Sequence, residues 1–176
     1  VYESGTRVEL VDTVVRHTTP HESGDDGYGI AVQAGATLVA NGCEVLGNTE
    51  VGVLAYESGT TVTLRDSTIS RTIPAQGKRG MVATGLIAQF GATISGSGLL
   101  VENNEGVGLL SWYDGSRLIC THCTLRGNEF AGVVALYGAA LEIEGSQIMD
   151  TSRSADLGGG VGIFAAEQQG MEPPSL

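Results

Sequence analysis

The densest chemistry in this 176-residue chain lies in the stretch HTTPHESGDDGY at 17–28, where His17, His21, Glu22, Asp25 and Asp26 fall within ten residues. The Asp25-Asp26-Gly27 turn is a candidate Ca2+ site, because that cation takes carboxylate oxygens from flexible acidic loops. Two imidazoles with three carboxylates would also suit a transition metal. The spacing matches no defined metal motif, and the plainer reading is a solvated turn whose Asp side chains bond their own backbone. A second candidate is CTHC at 120–123, with the spacing of a redox or zinc pair. Equivalent places elsewhere in the chain hold Leu64 with Ser67 and Ile143 with Ser146, which points to small buried side chains instead. A bond between Cys120 and Cys123 is also geometrically conceivable across the bend they flank. Cys43 is too remote from Cys123 to pair with it, and an odd count gives no disulfide scaffold.

The elements that must position these residues are repeats. The units GTRVELVDTVV, GATLVANGCEV, GTTVTLRDSTI, GATISGSGLLV, GSRLICTHCTL and GAALEIEGSQI begin at Gly5, Gly35, Gly59, Gly91, Gly115 and Gly138. Each is followed by a glycine and an apolar alternation, as in GIAVQAG, GVLAYESG and GLLSWYDG. A unit of about two dozen residues cannot bury its own apolar face, so the units must stack into a solenoid. Alternation assigns one inward column to Val8, Leu38, Val62, Ile94, Leu118 and Leu141, and another to Val15, Val45, Ile69, Val101, Leu125 and Ile148. A third runs Ile30, Val53, Leu86, Leu109, Val133 and Ile163, and a small-residue bend column runs Thr13, Cys43, Ser67, Cys123 and Ser146. That makes three short strands per coil, in six or seven coils. Asn48, Asn104 and Asn128 recur at the third corner, where Asn tolerates left-handed backbone and stacked side chains can form a ladder.

Composition bounds the rest. The net charge is −11 with a single lysine, Lys78, so the basic stripe that nucleic-acid binding requires is missing. No apolar run is long enough to span a membrane. The opening VYESGTRVEL mirrors AYESGTTVTL at 55–64, so the chain starts in mid-repeat and reads as one domain, 1–176, cut from a longer protein.

The stacked turn glycines, the three-strand coil and the corner asparagines together resemble the right-handed parallel β-helix of the pectate-lyase-like superfamily, over nearly the whole chain. The resemblance implies a bacterial extracellular or cell-surface protein. It also implies that the strand after the third corner, with its adjoining loops, is where relatives form a polysaccharide cleft. Such lyases use a basic residue, typically Arg, with Ca2+ held by acidic side chains, and the related hydrolases use closely placed Asp residues. The outward columns of that strand hold neither carboxylate nor Arg, so no catalytic residue is carried over. They read Ala31, Leu54, Ile87, Leu110, Val134 and Phe164, then Gln33, Tyr56, Gln89, Trp112, Leu136 and Ala166. An apolar stripe of this kind must be covered by the long loops, by the rest of the parent chain or by a second molecule. Alternatively, Tyr56 and Trp112 can offer flat faces to sugar rings. Three long insertions, at 17–28, 72–83 and 151–160, leave from one corner beside this strand.

The expectation is therefore a non-catalytic structural or binding module with no cofactor beyond candidate Ca2+. It would associate with itself or with flanking parts of its parent through the stripe (Leu54, Ile87, Leu110, Phe164) or the insertion edge (His21, Asp25, Asp26). The alternative is a carbohydrate-active or carbohydrate-binding module that uses Tyr56 and Trp112.

Overall fold

The structure is a computed structural model that describes residues 1–20, 27–75, 83–153 and 159–167. Among these residues every regular element is a strand, and the strands form three parallel six-stranded sheets. Sheet 1 holds Arg7–Val11, Thr37–Asn41, Thr61–Arg65, Thr93–Ser97, Arg117–Thr121 and Ala140–Glu144. Sheet 2 holds the three-residue strands Val14–Arg16, Glu44–Leu46, Thr68–Ser70, Leu100–Glu102, Thr124–Arg126 and Gln147–Met149. Sheet 3 holds Ile30–Gln33, Val51–Tyr56, Thr84–Gln89, Val107–Trp112, Ala131–Leu136 and Val161–Ala166. This is the parallel β-helix expected from the repeat, with about six coils.

Register follows the alternation. Val8, Leu38, Val62, Ile94, Leu118 and Leu141 pair in one unbroken column, and from Leu38 to Leu118 they are buried. The column is continuous because a one-residue slip would turn every apolar side chain to solvent. The terminal coils lack a neighbour on one side, so Val8, Leu10, Val15, Leu141, Ile143 and Ile148 are only partly buried. Ile163 is 62 % exposed although its register partner Val133 is fully buried.

The bend from sheet 1 to sheet 2 is made by one left-handed residue per coil: Asp12, Gly42, Asp66, Gly98, His122 and Gly145. The residue types alternate because the coils come in pairs. A Cβ on Gly98 would collide with Asp66 Oδ1 of the coil before it, and one on Gly145 would lie 3.0 Å from the His122 ring. Each glycine makes room for its neighbour's side chain. The corner from sheet 3 back to sheet 1 alternates in the same way. Thr60 Oγ1 accepts from the Gly35 N–H (3.0 Å) and donates to Tyr56 O (2.8 Å). Ser116 Oγ repeats the bridge between the Gly91 N–H and Trp112 O, while Ala36 and Ala92 fill the intervening coils. The fourth coil departs from the bend column. It places Leu99 there, and the Leu99 side chain occupies the space that Gly96 leaves empty.

The asparagine ladder is present, with two corrections. Asn104 Nδ2 donates to Asn128 Oδ1 (2.9 Å), and Asn128 Nδ2 donates to Val101 O (3.2 Å). Asn48 is not continuous with that pair: Thr72 stands between, its N–H donating to Asn104 Oδ1 (3.0 Å). Nor do Asn48, Asn104 and Asn128 take the left-handed backbone. Their predecessors Gly47, Asn103 and Gly127 carry the positive φ at this corner, as His17, Arg71 and Asp150 do in the coils that place Thr there, which leaves the ladder residue free to aim its side chain along the stack. The glycines that open the sheet 3 strands provide the space. Built on Gly108, a Cβ would lie 2.5 Å from Gly132 O and 2.9 Å from Asn128 Nδ2.

Candidate binding face and aromatic corner

Sheet 3 has apolar side chains on both faces. Inward, Leu86, Leu109 and Val133 belong to the main core. Outward, Leu54, Ile87, Leu110 and Val134 join Val51, Val107 and Ala131 in a second cluster, with Tyr28, Tyr56, Trp112, Phe130 and Leu136 packed against it. Leu54 is 7 % exposed, Ile87 5 %, and Leu110 and Val134 0 %. The stripe is thus an internal layer of this chain over its middle coils. At its two ends Ala31 is half-buried and Phe164 keeps 41 % of its surface exposed. A partner that needed Leu54, Ile87 or Leu110 would have to displace whatever already shields them.

Where sheet 3 turns toward sheet 1, five aromatic rings make one continuous contact series. Tyr56 meets Phe90 edge-on with centroids 5.1 Å apart, and Phe90 stacks on Tyr113 at 4.3 Å. Tyr113 continues to Tyr137 at 5.5 Å, and Trp112 lies parallel to Tyr113 at 5.1 Å. Phe90, Tyr113 and Tyr137 occupy the left-handed residue of this corner, which turns their side chains outward above one another in successive coils. Tyr56 and Trp112, the two expected from sequence, are therefore part of a larger group. The signal for the other three was legible: QFG at 89–91, WYDG at 112–115 and LYG at 136–138 each place a ring one or two residues before the turn glycine.

All five rings are partly exposed. Burial raises the pKa of Tyr113 above its ordinary value, and the Tyr137 and Tyr56 phenols raise it further. The indole N–H of Trp112 is buried without a hydrogen-bond partner. Beside the corner, a depression of about 410 Å3 lies between Leu136, Gly138 and Ala139 on one coil and Ala165, Ala166 and Glu167 on the next.

The acidic candidates fall elsewhere. His21, Asp25 and Asp26, with Glu22 and Asp156, lie outside the described residues. His17 is described, and its ring packs over Gly47 of the next coil. Among the described residues no group of three or more His, Cys, Asp or Glu side chains could hold a metal ion. Cys120 and Cys123 are joined by a disulfide with Cα atoms 6.0 Å apart. Their small-buried-residue reading holds for position, but the two sulfurs are bonded rather than free. Cys43 is a buried free thiol.

No family model, no curated protein and no solved structure matches the chain.

Proposed function

We propose that this chain is a non-catalytic, rigid β-helix module of a larger secreted or surface protein of bacterial type. The observation that carries the reading is the buried outer layer of sheet 3. Enzymes of the resembled superfamily bind polysaccharide on that face, whereas here Leu110 and Val134 are shielded completely. A face filled with packed aliphatic side chains excludes the water and polar groups that glycosidic cleavage needs. The Cys120–Cys123 disulfide supports an oxidising compartment, where such bonds persist. Association then falls to the exposed Phe164 end of the stripe and to the edge carrying the insertions at 17–28, 72–83 and 151–160. The test is incubation with neutral and acidic polysaccharides, with and without Ca2+, followed by reducing-end and unsaturated-product assays. The reading expects no turnover; sustained product formation would overturn it.

The aromatic corner favours one other reading, carbohydrate recognition without chemistry. Five rings bearing three phenols are concentrated at one exposed corner, in a chain that is only 5 % aromatic. Amphipathic rings are suited to sugars, which present both C–H faces and hydroxyls. A glycan array run on the parent and on Trp112→Ala tests it: binding that is lost in the variant supports recognition, and a blank array removes it.

A further inference from the structure

The disulfide is positioned so that its formation and its breakage are tied to one coil. Cys120 sits in register between Gly96 of the fourth coil and Ile143 of the sixth. The Cys123 N–H donates to Ser146 Oγ of the sixth coil (2.9 Å). Both cysteines are closed off, at 0 % and 1 % exposure. Thiol–disulfide exchange requires a thiolate to reach a sulfur directly. With coils packed above and below, that approach is blocked while the sixth coil is in place.

We propose that Cys120–Cys123 is a sealed staple: it closes by exchange with a disulfide-bearing oxidant before the sixth coil stacks, and afterwards is out of reach of dithiols until that coil opens. In the forming step one cysteine thiolate attacks the oxidant's disulfide and releases its first thiol. The second cysteine attacks the resulting mixed disulfide and releases the other thiol. The two cysteines lose two electrons and two protons, and the oxidant gains them. The inference stands on burial and register, not on the proposed function. Its test uses purified chain and dithiothreitol alone, so the two readings fail separately.

The experiment incubates the oxidised 176-residue chain with excess dithiothreitol, in buffer and in denaturing urea. Samples are acid-quenched, then alkylated in denaturant and weighed intact. The free Cys43 gives one label in oxidised chain, and reduction gives three. The expected result is reduction at least about 100-fold slower in buffer than in urea, as for a site opened only by a sub-global fluctuation. Ile143→Ala, which loosens the sixth coil over Cys120, should accelerate reduction several-fold, while Val8→Ala in the first coil should not. Reduced chain refolded before exposure to oxidised glutathione should form the bond correspondingly slowly; a reduced chain that stays unfolded by circular dichroism supports the same order. Native reduction within a few-fold of the unfolded rate would overturn the proposal. So would equal acceleration by Val8→Ala and Ile143→Ala, or fast oxidation of the folded, reduced chain.

Discussion

Replacing Gly108 by Ala adds one methyl group where the stack has no room for it. The new Cβ would lie 2.5 Å from Gly132 O and 2.9 Å from Asn128 Nδ2, so the fourth-to-fifth coil corner must shift to accept it. Overpacking of this kind costs about 1–3 kcal/mol. A shift also weakens the bonds of Asn128 to Asn104 and to Val101 O, each worth about 1 kcal/mol. The expected loss is about 3–4 kcal/mol, or roughly 10 °C in Tm for a chain of this size. Gly162 is the internal control, because it holds the same repeat position in the last described strand. A Cβ there meets only Ile148 Cγ2, at 3.9 Å. Gly162→Ala should leave stability within about 0.5 kcal/mol of the parent, or raise it slightly by restricting the unfolded chain. Thermal unfolding followed by far-ultraviolet circular dichroism decides the matter. Equal melting temperatures for the two variants would refute the claim that these glycines exist to admit the asparagine ladder.

Other consequences follow from the paired coils and the corners. In the second coil Ala40 and Cys43 hold the bend places that Cys120 and Cys123 hold in the fifth, so Ala40→Cys should form a second disulfide, seen as a chain with no alkylatable thiol. Gly98→Ala should destabilise by about 2 kcal/mol through its clash with the Asp66 carboxylate, and adding Asp66→Ala should recover part of that loss in a double-mutant cycle. Tyr113 should ionise above the ordinary tyrosine range in an absorbance titration, because burial and then Tyr137 and Tyr56 raise its pKa. Above about pH 10 the unfolded phenol loses its proton before the folded one, so stability falls as pH rises there, and Tyr113→Phe should flatten that fall.

What the sequence disclosed follows from the distance over which each feature is determined. Strand alternation and turn glycines act locally, so the three sheets and the columns through Leu38, Val45 and Val53 are legible residue by residue. The destination of Leu54, Ile87 and Leu110 is not local. An outward apolar residue on a strand looks the same whether a partner, another domain or the chain itself shields it. The two-coil period was visible in the alternation of GT, GA, GT, GA, GS and GA after each turn, but its meaning lies in contacts between coils. Asp66 fits over Gly98, and Thr60 bridges back to Gly35, only once the coils are stacked. Phe90, Tyr113 and Tyr137 are visible beside the turn glycines but fall outside every strand column, because each sits in a turn, where a ring in left-handed backbone is uncommon. His21, Asp25 and Asp26 belong to an insertion outside the repeat, so the columns say nothing of where their side chains go.

The claim on which the account turns is that the outer face of sheet 3 is an interior layer of this chain and not an open cleft or docking stripe. The most direct measurement is the melting temperature of Leu110→Asp beside that of the parent, at several protein concentrations. A carboxylate forced into the place of a fully buried leucine should cost about 3–5 kcal/mol. The account predicts a fall in Tm of about 10 °C or more that does not depend on concentration. An unchanged Tm would contradict it, by showing that Leu110 faces open surface.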